Sequence, residues 1–131
     1  LKDGRRHGGI LFEPEVMPTR EFSIHGVVSS NETLLGEPCS LRVDEFSAPL
    51  SVERVVTPSD ALRNSIVALG AQAADCLKKA GYFGPFGLDL LEVDEGTGPW
   101  LWASDLNARF TLGWSTGMGE ARDRALSLLL E

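Results

Sequence analysis

Asp105, Asn107 and Arg109 alternate with Leu106 and Ala108 near the C-terminal end of the chain. In an extended strand every second side chain shares a face. An acid, an amide and a guanidinium therefore fall in one row, with Leu106, Ala108, Ser104 and Trp102 expected on the other side. Upstream, Asp89 lies in a second run of period-two pattern, Phe86 to Asp94. Glu95-Gly96-Thr97-Gly98-Pro99 supplies turn residues that would fold the two runs, the second being Trp100 to Phe110, into a hairpin. If Asp94 pairs with Pro99 or Trp100, Asp89 falls opposite Ser104 or Asp105. Facing residues on adjacent strands have Cβ atoms about 5 Å apart. Two carboxylates so placed repel unless positive charge sits between them. Two acids and an amide oxygen are hard ligands of the kind Mg²⁺ or Mn²⁺ takes, and Mg²⁺ favours one or two carboxylates plus phosphate oxygens. Arg109 would then be placed to hold a phosphate oxygen. The same spacing fits equally well a solvated sheet face on which Arg109 neutralises Asp89 and Asp105.

The hairpin needs anchoring. Leu88, Leu90, Trp100 and Trp102 are expected on its apolar side, and Phe83-Gly84-Pro85-Phe86-Gly87 before Asp89 allows a close backbone approach. The strongest helix signal follows Thr57-Pro58-Ser59-Asp60, read as a hydroxyl cap, a proline at the first helical position and an acid at the third. Leu62, Ile66, Leu69, Ala73, Cys76, Leu77 and Ala80 then recur at helical spacing, and Gly81 ends the run. Glu21 to Ser30 alternates as a strand, Leu41–Val43 and Ser51–Val56 are further strand candidates, and Asn31 to Pro38 reads as a loop. From Gly117 onward helical spacing returns. The order predicts an α+β fold, a mostly antiparallel sheet with helices packed on one face.

With 131 residues, 43% hydrophobic and 24% charged, the chain has the size and composition of one globular domain. It is expected to form a single domain spanning 1–131, a fragment of a longer polypeptide. The net charge of −7 argues against a nucleic-acid partner, although metal ions can seat a polyanion on an acidic surface. No apolar run approaches bilayer length, so no membrane association is expected. Cys39 and Cys76 lack metal-ligand spacing and read as free thiols, which points to the cytoplasm. His7 and His25 show no ligand spacing, and Trp114 reads as a packing aromatic.

Gly81-Tyr82-Phe83-Gly84-Pro85-Phe86-Gly87-Leu88-Asp89, a hairpin loop, and Asp105-Leu106-Asn107-Ala108-Arg109-Phe110-Thr111-Leu112-Gly113 resemble the C-terminal subdomain of ATP-grasp enzymes. The resemblance implies that Asp89, Asp105 and Asn107 bind Mg²⁺ on the ATP phosphates and that Arg109 contacts phosphate as the catalytic residue. Asp105 stands where the family commonly has the longer Glu. Ile10 to Val16 followed by Glu21-Phe22-Ser23-Ile24 resembles the family's hinge. This implies Glu13, Pro14, Glu15 and Val16 at adenine and Glu21 at ribose. The implied activity is ATP-dependent ligation of a small carboxylate to an amine or similar nucleophile through an acylphosphate, in a parent chain that can be a homo-oligomer. The fragment by itself is expected to be inactive. The alternative is a nucleotide-binding or protein-interaction module that keeps the fold without turnover.

Overall fold

The computed structural model describes residues 17–43, 49–55 and 59–130. Glu13, Pro14, Glu15 and Val16, expected to form a hinge, lie outside the described residues, as do Pro58 and His7. The strands are β1 (Arg20–Val28), β2 (Thr33–Leu35), β3 (Cys39–Val43), β4 (Pro49–Arg54), β5 (Gly84–Asp94) and β6 (Pro99–Asn107). The helices are α1 (Asp60–Lys79), α2 (Trp114–Met118) and α3 (Arg122–Leu128), with a 3₁₀ turn at Gly119–Ala121. All described strand pairs are antiparallel and run in the order β4-β3-β1-β5-β6, with β2 joined to the far half of β1. The antiparallel α+β class is as expected. The segment read as a loop, Asn31 to Pro38, carries β2, too short to show a period.

β1 sits at the centre of the sheet, and its alternation sets both layers. Phe22 and Ile24 face α1, where Ile66, Leu88 and Leu90 complete the core. Val28 and Phe86 pack with Ala74 on the same side. Gly70 lets α1 approach closely, because a Cβ there would lie 2.9 Å from Ile24 Cγ2. The odd residues point the other way, and Val27 packs with Trp114, Met118, Ala125 and Leu128. The long helix thus covers one face and α2 with α3 cover part of the other, where the expectation placed every helix on one face. Helical spacing marks an apolar stripe but not the side of the sheet it meets.

Two further details differ from the expectation. The cap of α1 is Ser59, whose Oγ accepts from the Leu62 amide at 3.3 Å. A cap needs its hydroxyl just before the first helical residue, and the helix begins two residues later than read. The stripe packs as read at Leu62, Ile66, Leu69, Ala73 and Leu77, while Cys76 at one edge is exposed and Gly70 and Ala74 join the buried side at the other. Ala80 and Gly81 close the helix as expected, with Gly81 at φ 77°.

Candidate functional site: two opposed carboxylates on the β5–β6 hairpin

The hairpin pairs Asp94 with Pro99, which in a regular ladder would set Asp89 against Ser104. A bulge intervenes: Leu90 pairs with Ala103 and Asp89 with Asp105, leaving Ser104 as the extra residue. Its hydroxyl donates to the Asp89 carbonyl at 3.1 Å. The extra residue inverts the facing of everything between it and the turn. Trp100 and Trp102 therefore lie on the face of Leu91 and Val93, which is the face of Asp89, and not on the apolar side where strict alternation put them. They stack with ring centroids 5.7 Å apart and remain exposed. Leu101 and Ala103 take the α1 side, Leu101 against the core.

The expected acids meet. Asn107 Nδ2 donates to Asp105 Oδ2 at 2.9 Å and to Asp89 Oδ2 at 3.2 Å. Asn107 Oδ1 accepts from the Arg109 guanidinium at 2.9 Å. All four candidate hairpin residues form one connected group. Arg109 reaches it by a turn, since β6 ends at Asn107 and the Arg109 amide donates back to the Asn107 carbonyl. The strand is thus three residues shorter than the run ending at Phe110. Phe110 instead stands edge-on to Trp114, 4.9 Å between centroids.

Asp89 is half-buried, and its carboxyl is held above the usual carboxylate range. Burial is the main cause, and the Asp105 and Glu21 carboxylates add to it; Arg109 opposes them. Glu21 lies on β1 opposite Leu91, on the same face of the sheet. Positive charge is what this geometry lacks: two acids share a single amide nitrogen, and a half-buried one bears repulsion from two neighbours. The two carboxylates, joined by the Asn107 amide oxygen once that side chain turns its oxygen from Arg109 to the acids, are a donor set that fits Mg²⁺ or Mn²⁺, provided phosphate or water supplies the remaining oxygens. The described residues contain no group of three His, Cys, Asp or Glu able to enclose a metal ion by themselves.

The floor of the site is close-packed. A Cβ at Gly87 would lie 3.1 Å from His25 Cδ2 and 3.0 Å from Thr111 Cγ2. Gly113 and Gly117 press on the same imidazole. His25 is buried, its pKa pushed down to about 4 by that burial, so it is neutral at pH 7. Trp114 donates its indole N–H to the Gly26 carbonyl at 3.0 Å, which ties α2 to the sheet beside the site. Cys39 and Cys76 are both free thiols, and burial pushes Cys39 up to about 11. A separate cavity of about 620 Å³ lies between α1 and the turn end of the hairpin, lined by Leu62, Leu69, Glu92 and Leu101 among others. It does not include the acids.

Sequence reading missed Ser23, which pairs with Asp89 across β1 and β5 and is buried. The alternation of β1 already put Ser23 on the face opposite the core, but its neighbour could not be known without the strand order. Among the described residues no helix is long and apolar enough to cross a membrane.

No protein-family model matches the sequence, and no curated protein matches it. Solved structures do. The carboxyaminoimidazole ribonucleotide synthase of Aspergillus clavatus, complexed with ATP, matches 75% of this chain at 18% identity and a TM-score of 0.56. The N5-carboxyaminoimidazole synthase of the same organism, in complex with ADP and 5-aminoimidazole ribonucleotide, matches 74% at 18% identity and a TM-score of 0.57. The N5-carboxyaminoimidazole ribonucleotide synthetase of Thermus thermophilus matches 88% at 21% identity and a TM-score of 0.64. The chain spans 24% of the length of each Aspergillus enzyme and 33% of the Thermus one.

Proposed function

We propose that this chain, which has the fold of the ATP-grasp C-terminal subdomain, supplies the phosphate- and metal-holding part of an ATP-dependent ligase. One observation carries the reading: Asp89 and Asp105 are opposed across the hairpin, bridged by Asn107, with Arg109 bonded to that same amide. The ATP and ADP named with the Aspergillus neighbours support a nucleotide ligand.

In this reading Asp89, Asp105 and Asn107 would hold Mg²⁺, which supplies charge neutralisation on the nucleotide's phosphate oxygens. Arg109 holds a phosphate oxygen through its planar donor fork. Glu21, on the same face, holds the ribose, and Glu13 to Val16 meet adenine. None of these residues is a nucleophile or general base. Their contribution is placement and fixed charge at the transferring phosphoryl group. The reaction class is activation of a carboxylate as an acylphosphate, followed by attack of an amine. One feature favours a second reading, a nucleotide-binding module without turnover: Asp105 is one methylene shorter than the family's usual Glu.

The test is a backbone-amide NMR titration of the 131-residue chain with Mg²⁺·ADP. Shifts are expected at Glu13–Val16, Glu21, Asp89 and Asp105–Arg109, and are expected to disappear without Mg²⁺ or in Asp89→Asn. Absence of metal-dependent shifts at millimolar ligand both in this chain and in the longer polypeptide would refute the nucleotide site. In the longer polypeptide, ATP turnover dependent on a carboxylate separates the ligase from the silent module.

A further inference from the structure

Ser23 is 3% exposed, and among the described residues its Oγ has no hydrogen-bond partner. Thr111 Oγ1 is in the same condition. Both stand at the acid site. Ser23 is the direct cross-strand partner of Asp89 and shares its face, which puts the two Cβ atoms about 5 Å apart. Thr111 closes over Gly87, with Oγ1 3.2 Å from where a Cβ at that glycine would be. Gly87 in turn pairs with Asn107. The orphaned hydroxyls therefore flank the Asp89–Asn107 group from the β1 side and from above. Asp89 does not satisfy Ser23, although a carboxylate has acceptor sites to spare: no hydrogen bond joins them.

A buried hydroxyl without a partner destabilises the fold, and buried polar groups without partners in native proteins commonly mark a bound water or ion. A hydroxyl offers one donor and two acceptor positions. Mg²⁺ keeps several of its waters when only one or two carboxylates bind it, and those waters need acceptors. We propose that Ser23 and Thr111 are positioning residues that accept hydrogen bonds from the waters a divalent cation retains at Asp89, Asp105 and Asn107. The inference rests on the metal-nucleotide reading and extends it. The site is a hydrated-cation site with an outer ring of hydroxyls, which compensates for the small number of charged ligands. His25 Nδ1, the remaining orphan in this region, faces Gly117 and does not belong to the ring.

The test measures the dissociation constant of Mn²⁺·ADP from paramagnetic broadening of the amides near Asp89, in the 131-residue chain and in Ser23→Ala, Ser23→Thr, Thr111→Val and Asp89→Asn. Outer ligands of metals are worth about 10–100-fold in affinity. Ser23→Ala is expected to weaken Mn²⁺·ADP at least about tenfold, Ser23→Thr to restore it, and Thr111→Val to weaken it similarly. Affinity for metal-free ADP is expected to stay the same in all three, which a merely structural role for Ser23 would not produce. Wild-type affinity in both Ser23→Ala and Thr111→Val, with Asp89→Asn impaired, overturns the inference and leaves the metal-nucleotide reading standing. Failure of the wild-type sequence to bind Mn²⁺·ADP both in this chain and in the longer polypeptide, or wild-type affinity in Asp89→Asn, overturns both. Thr111→Val keeps the question decidable if Ser23→Ala fails to fold.

Discussion

Asp89→Asn should make the metal-free protein more stable at neutral pH. The carboxylate oxygens of Asp89 and Asp105 accept from one nitrogen at 3.2 and 2.9 Å, so they lie within about 6 Å of each other. At that distance two unit charges repel by about 3 kcal/mol at an effective dielectric of 20 and by about 0.7 kcal/mol in water. Asp105 is exposed and Asp89 half-buried, so a value near 1 kcal/mol is appropriate once Arg109 is allowed for. Asparagine keeps the oxygen that accepts from Asn107 and removes the charge. For a chain of this size 1 kcal/mol corresponds to roughly 3–5 °C in Tm.

The gain must depend on pH in a defined direction. The folded state holds the Asp89 carboxyl above its usual range. It therefore binds more protons than the unfolded state in the window between the ordinary and the raised pKa. The associated stability is present below the ordinary carboxylate range and is lost as pH rises through the raised value. Asp89→Asn removes that loss, so its advantage should be full at pH 7 and shrink toward zero in acid. Thermal unfolding followed by circular dichroism in EDTA, between pH 3 and 8, measures this. Added Mg²⁺ at ten times its dissociation constant should return about 1.4 kcal/mol to the wild type alone and remove the difference. A variant no more stable than wild type at pH 7, or a gain independent of pH, would refute the charge argument.

Glu92→Gln should destabilise the fold by about 1–2 kcal/mol at pH 7, because buried Glu92 takes two bonds from Arg20 at 2.6 and 2.8 Å; half-exposed Arg20 keeps the figure modest. The Arg20 hydrogen bond, foremost, holds the Glu92 carboxyl below its usual range, so urea titrations should show the deficit shrinking as pH falls through that depressed value. Gly117→Ala puts a methyl 2.4 Å from His25 Nδ1 and should cost about 1–3 kcal/mol by overpacking, read as a lower urea midpoint with unchanged slope. Deletion of Ser104 should be tolerated within about 1 kcal/mol, since it removes a residue already outside the ladder and one exposed hydrogen bond. Cross-strand NOEs should still pair Asp89 with Asp105.

The hairpin was legible because two local signals agreed: alternation over Asp105 to Arg109, and turn residues between two strands of matching length. Glu21 was named only through the family resemblance; its place on the face of Asp89 follows from its register with Leu91. The bulge at Ser104 was not legible, since neither Ser104 nor its neighbours carry a glycine or other local mark of an extra residue. That one residue returned Asp105 to the position opposite Asp89 and moved both tryptophans to the site face. The face taken by α2 and α3 depends on Val27 meeting Trp114, a contact across 87 positions of sequence that no local period encodes. Ser23 became visible only when the strand order put β1 beside β5.

The bulge explains how one sheet carries a core and a charged site without mixing them. In a regular ladder started from Asp94 and Pro99, Asp105 would pair with Leu88 and Asn107 with Phe86. Both polar residues would then point at Ile66 and Ala74 beneath α1, where an unpaired charge has no partner. With Ser104 left outside the ladder, Leu106 pairs with Leu88 and Ala103 with Leu90 on the α1 side, and both acids emerge on the other. The α1 side has only apolar groups at its centre, so stability is concentrated there. The opposite side can therefore keep two close carboxylates and two unpartnered hydroxyls, features that cost stability and persist in folded proteins chiefly where a ligand uses them. Removing those features should stabilise the empty protein and weaken its hold on a metal-bound nucleotide, and both effects should originate from the same residues.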